Sequence, residues 1–158
     1  MREGSREDIM KVILLVEDSR LLRIMNQRVL VRVGYSVLTA SDGEEAVRVA
    51  RERIPDLIIL DMLLPKLGGP QVLRTLKDDA LTAHIPVVVL SSLPQSNELR
   101  LKKEGAAAYF DKSALALHRD LDAIVQIVRT ILGDSSPFVA ASPAKIEGGL
   151  ARKAKSSA

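Results

Sequence analysis

Cysteine is missing from the 158-residue chain, which excludes disulfides, thiolate metal centres and thiol catalysis together. Tryptophan is missing too, and aromatic residues reach only 3%. A core so poor in rings must be aliphatic, and few rings leave no stacking platform for single-stranded nucleic acid. No apolar run approaches the roughly 18 residues of a membrane span. The first eleven residues, MREGSREDIMK, are charged, and the apolar run after them stops at Glu17-Asp18. That run is too short for the core of a secretory signal. A cytoplasmic protein without membrane insertion is expected.

An excess of one charge is also lacking where it would matter. Net charge is +3, but residues 1–133 hold 19 Lys/Arg against 18 Asp/Glu, and 134–158 hold 4 against 2. The body is nearly neutral, a poor footprint for direct DNA binding.

What the chain does have is 47% hydrophobic and 27% charged residues, the balance of a packed globular domain. Strand-like runs cover 11–16, 35–40, 56–60, 86–90 and 106–110, and helix-like stretches lie near 19–33, 43–53, 69–78, 96–104 and 114–132. Five β–α pairs predict an α/β fold with a parallel sheet and helices on both faces. VILLV, LIIL and VVVL are apolar at every position, as central strands covered on both faces should be. Ser19 and Asp42-Gly43 are helix openers, Gly34 a helix end, and Pro55, Pro65 and Pro86 fall at element boundaries. The organisation expected is a short extension (1–9), one domain (10–133), and a disordered basic tail (134–158) rich in Ser, Ala, Gly, Pro and Lys.

Ligands of an open parallel sheet bind at the carboxyl ends of its strands. Here the first strand ends in Glu17-Asp18, the third in Asp61, the fourth in Ser91-Ser92, and the fifth leads to Lys112. Crowded carboxylates repel unless a cation lies between them. Hard oxygen ligands without His or Cys favour Mg²⁺, or Mn²⁺, over softer metals. Asp61 is then a candidate nucleophile for an aspartyl phosphate. Lys112 and the metal would offset charge on the transferred group, and Ser91 would donate a hydrogen bond to it. Each residue alone is more often a helix cap or solvated charge. Together at successive strand ends they make a site.

These residues carry a resemblance to the receiver domain of two-component response regulators, the CheY-like family, over about residues 10–132. The motifs are ILLVEDS, LIILDMLLPKLGG, PVVVLSS and AAAYFDKS. The resemblance implies a doubly wound five-stranded parallel sheet, flavodoxin-like, in strand order 2-1-3-4-5. It makes Asp61 the phosphoacceptor and Lys112 the cation beside it. Asp18 and Asp61 become Mg²⁺ ligands with the Leu63 backbone carbonyl, and Glu17 acts through water. Ser91 and Tyr109 take the switch positions. Leu63 and Leu93 flank the path of the hydrolytic water, and two leucines there imply a long-lived phosphorylated state. Ser113 replaces the proline that usually follows the lysine, so the cis peptide found there in the family is put in doubt by a cost of about 2.5–4 kcal/mol.

With 25 residues after Gly133, too few for an effector module, the domain is expected to be a stand-alone regulator. A histidine kinase or histidine phosphotransfer protein would supply the phosphoryl group. A separate downstream effector would read it, at a surface over roughly 95–132, and dimerisation on activation is compatible with that. The arginines Arg20, Arg23, Arg28 and Arg32 of the first helix either face the phosphodonor protein or are plain solvated charge, and His84 is a loop residue. The tail's Arg152, Lys153 and Lys155 most simply aid solubility. Two other readings compete. A haloacid-dehalogenase-like phosphatase needs an acid two residues after the nucleophile, where Leu63 stands. A phosphorylation-independent adaptor would not need all five site positions filled. The expected protein is therefore a phosphoacceptor that signals, not an enzyme of turnover.

Overall fold

The computed structural model describes residues 10–92, 98–112 and 121–133. Its chain runs through β1 (Val12–Val16), α1 (Arg20–Arg32), β2 (Ser36–Ala40), α2 (Gly43–Arg53), β3 (Leu57–Asp61), α3 (Gly69–Asp78), β4 (Val87–Ser91), α4 (Glu98–Lys103), β5 (Ala108–Asp111) and α5 (Leu121–Leu132). All strand pairs are parallel and the order is β2-β1-β3-β4-β5, the doubly wound α/β sheet expected. Element bounds move by a residue or so. The third strand starts at Leu57 because Asp56 serves as a clip: its Oδ2 accepts from Val12 N at 2.7 Å. Positions 96–97 and 114–120, expected to be helical, lie outside the described residues.

Burial explains why the apolar runs read so clearly. Both β3 and β4 are buried at every position, and β1 at all but its first. The edge strands β2 and β5 are mostly half-buried. Side chains alternate across the sheet with period two. Leu14, Ile58, Leu60 and Val89 therefore meet α2, α3 and α4 through Ala46, Ala50, Val72, Leu73 and Leu101. Ile13, Leu15, Ile59 and Leu90 meet α1 and α5 through Leu30, Val125 and Val128 on the other face. Fully burying one such side chain is worth about 1.5–3 kcal/mol, so these two aliphatic layers fix the sheet that positions the site.

The helix openings follow the local chemistry. Ser19 Oγ accepts from Leu22 N at 3.4 Å, and Asp42 Oδ1 accepts from Glu45 N at 2.8 Å. Glu45 Oε2 reaches back to Ser41 N at 2.9 Å. The first two bonds satisfy backbone donors that a helix start leaves without a partner, and the third ties the helix back to the residue before its cap. Gly34, just past α1, has φ of 106°, a conformation that a side chain would resist.

Candidate functional site

Alternation carries past the strand ends and sorts the polar residues there. Glu17 continues the parity of Ile13 and Leu15, and Asp61 that of Leu57 and Ile59, so both belong to the α1/α5 side. Ser91 and Tyr109 follow Val87 and Val89 on the opposite side, where the ring of Tyr109 packs half-buried against the α2–α4 layer. Parallel register sets Asp61 beside Leu90 and Ser91 beside Asp111. The carboxyl edge thus has an acidic half and a half carrying Ser91 and Tyr109.

Lys112 ties the acidic half together. Its Nζ donates to Asp61 Oδ2 at 2.7 Å and to Glu17 Oε1 at 3.0 Å. Glu17 and Asp61 are buried, 0% and 1% exposed, and Ser91 is 0% exposed, while Asp18 is exposed. Backbone donors complete the frame: Ser19 N donates to Glu17 Oε1 at 3.0 Å and Leu63 N to Asp61 Oδ1 at 3.1 Å. Burial raises the Glu17 pKa against the lowering hydrogen bond from Lys112, and the nearby Asp61 charge raises it further. For Lys112, burial lowers the pKa, but the bonds to Asp61 and Glu17 outweigh it and the net direction is upward. The ammonium therefore stays charged between its two carboxylates.

One atom is left over. Glu17 Oε2 lies 3.0 Å from Lys112 Nζ, yet it is buried without a hydrogen bond of its own. The Lys112 charge is thus what offsets the burial of that oxygen, and a second cation could still be accommodated on it. Oxygens of Glu17, Asp18 and Asp61 all lie within 4.8 Å of one another. Three hard carboxylates gathered in this way, with no imidazole among them in the described residues, suit a divalent cation of the Mg²⁺ type.

The remaining positions divide. Leu63, on the loop after β3, is 56% exposed. Leu93 and the Lys112–Ser113 peptide lie outside the described residues. His84 is an exposed turn residue, as expected. Arg23 has a structural role beyond the expected partner contact or solvated charge: its Nη1 donates to the Glu17 carbonyl oxygen at 2.9 Å. It pins the turn that carries the acidic pair. A reach of six residues back from a helix to the preceding turn has no periodic signal, so only its nearness to Glu17-Asp18 could have suggested it.

The chain is similar to known proteins. The polar-differentiation response regulators DivK of Brucella ovis and Brucella anthropi are each 31% identical over 126 residues, covering 79% of this chain and 98% of theirs. A CheY-like response regulator receiver protein from Methanospirillum hungatei superposes with TM-score 0.71 at 20% identity, covering 80% of this chain and 96% of that one, a likeness of fold alone. The receiver domain of a sensor histidine kinase from Pseudomonas aeruginosa has TM-score 0.69 at 26% identity, covering 79% and 99%; its crystal structure has a magnesium ion coordinated in the active-site cleft. Residues 13–126 match the response regulator receiver domain. With that match running from the first strand well into the last helix, the chain belongs to the response regulator receiver domain family, a signalling domain of two-component systems.

Proposed function

We propose that this protein is a response regulator that accepts a phosphoryl group on Asp61 and signals by phosphorylation-dependent binding to a separate effector. The observation that carries the reading is the buried Asp61 carboxylate, with Lys112 Nζ 2.7 Å from Oδ2, beside the oxygens of Glu17 and Asp18. Asp61 is the nucleophile toward phosphorus, and the donor is a phosphohistidine on a histidine kinase or phosphotransfer protein. Lys112 steadies the charge on the transferred group, and Ser91 lies one strand away to donate a hydrogen bond to it. Glu17, Asp18, Asp61 and the Leu63 carbonyl would hold Mg²⁺ or Mn²⁺, which supplies further charge neutralisation in phosphoryl transfer. Nothing at Leu63 can act as the general acid of a turnover phosphatase, which supports a mark that is read over one that is cycled.

The test is to incubate wild type and D61N with Mg²⁺ and a small-molecule phosphodonor and follow intact mass. Equal incorporation into D61N would overturn the proposal. The exposed Leu63 adds a second expectation, that the phosphorylated form decays slowly because an apolar side chain hinders an in-line water. Replacing Leu63 by Asn should shorten the lifetime, because a polar side chain at that exposed position admits the water that leucine hinders. A wild-type half-life of seconds in Mg²⁺ would contradict it.

A further inference from the structure

The loop from Asp61 to α3, residues 62–68, is held in a shape that its own residues do not favour. Leu67 N donates to Pro65 O at 2.8 Å, closing a three-residue turn around Lys66, whose φ is 67°. A γ-turn with positive φ at a non-glycine centre is rare and strained, and such strain persists only where surrounding structure over-determines it.

That surrounding structure is the start of α2. Gly43 N donates to the same Pro65 oxygen at 3.3 Å, and Lys66 Nζ lies 3.5 Å from Asp42 Oδ2. The approach at Gly43 is closer than any side chain allows. A Cβ there would sit 1.8 Å from Leu67 O and 2.6 Å from Leu67 C, and these are backbone atoms that cannot swing aside. At the far end of the loop, Gly69 N donates to Met62 O at 3.1 Å, and a Cβ on Gly69 would lie 2.4 Å from Met62 Cα. Between these two anchors stands Leu63, whose N–H donates to Asp61 Oδ1.

We infer that Gly43 is a positioning residue for the metal: its lack of a side chain lets the start of α2 brace the strained turn, and the braced turn sets the place of the Leu63 carbonyl. This rests on the proposed role of Leu63 and Asp61 in holding Mg²⁺. It assigns a function at the acidic edge to a residue outside the acidic set, on another element.

The experiment compares wild type, G43A and L30A by calorimetric Mg²⁺ titration and by amide exchange at Leu67 and Gly69. Leu30 is buried in the α1/α5 layer, so L30A loses stability without touching the brace. Altering groups that orient metal ligands costs roughly 10- to 100-fold in affinity, and G43A should weaken Mg²⁺ binding on that scale while L30A stays within about twofold of wild type. G43A that is folded and binds like wild type overturns the inference, and so does L30A that loses as much as G43A. Should G43A not fold, K66M decides. Removing a positive charge near a cation site would by Coulomb's law tighten binding, so weaker binding in K66M supports the brace, and unchanged or tighter binding overturns it. If wild type takes up no Mg²⁺, the metal reading falls; the brace is then judged by exchange alone, faster at Leu67 and Gly69 in G43A supporting it and equal rates overturning it.

Discussion

Glu17 shows what a single residue gives up for the site. Its side chain is fully buried, its ordinary ionisation is disfavoured by that burial and by Asp61, and one of its oxygens has no hydrogen bond. A carboxylate chosen for stability would be replaced by a neutral amide of the same shape. We therefore expect E17Q, without divalent metal, to be more stable than wild type by about 1 kcal/mol, the usual scale of a point change. Lys112 keeps Asp61 as its partner in that variant, so no buried charge is stranded. Urea unfolding in a chelating buffer measures the difference, and a destabilised E17Q would show that the Lys112 bond outweighs the burial cost. The position was legible in the sequence because the acidic pair, alone no more than a helix signal, stands with Asp61, Ser91 and Lys112 at successive strand ends. Arg23, by contrast, was one arginine among four on a helix, and only the fold shows it reaching the Glu17 carbonyl.

Between elements, the least expected feature is Lys77, near the end of α3. It donates to Ala83 O at 3.1 Å and Ile85 O at 2.7 Å, and its stem lies beneath Gly105, where a Cβ would come 2.9 Å from Lys77 Cγ. One lysine thus joins the end of α3, the approach to β4 and the turn before β5. Hydrogen bonds to charged groups contribute about 1.5–3 kcal/mol, and K77M should lose that order of stability in urea. Burial lowers the Lys77 pKa, so the unfolded chain binds its proton more tightly. Wild-type stability should then rise relative to K77M as pH climbs from the folded pKa toward the unfolded one. A constant gap across that range would show that burial does not disfavour the Lys77 ammonium in the fold. Such a clamp has no local signature, since a lysine at the end of a helix reads as a solvated C-terminal charge. The strands were legible for the opposite reason. The apolar runs of β3 and β4 record burial at every position, whereas the clamp and the brace at Gly43 record only a distant backbone.

Across the whole molecule, the winding order that made the fold legible also gathers its charge at one edge. Because β1 and β3 are neighbours, the carboxylates that end them must face each other, and Lys112 follows β5 to meet them. Three carboxylates against one ammonium leave a formal −2 at the site, while the other charges of residues 1–133 sum to +3. Folding assembles that repulsion, so a cation that binds only the assembled edge must stabilise the fold. At a free Mg²⁺ concentration 100 times its dissociation constant the gain is about 2.7 kcal/mol. Urea unfolding of wild type with Mg²⁺, set against K⁺ at matched ionic strength, reads it out. Simple screening would act alike for both salts and only weakly on the buried Asp61–Lys112 pair. D61N should lose most of the Mg²⁺ gain, and E17Q part of it. An equal gain in D61N would mean that the cation stabilises the chain somewhere other than at this edge.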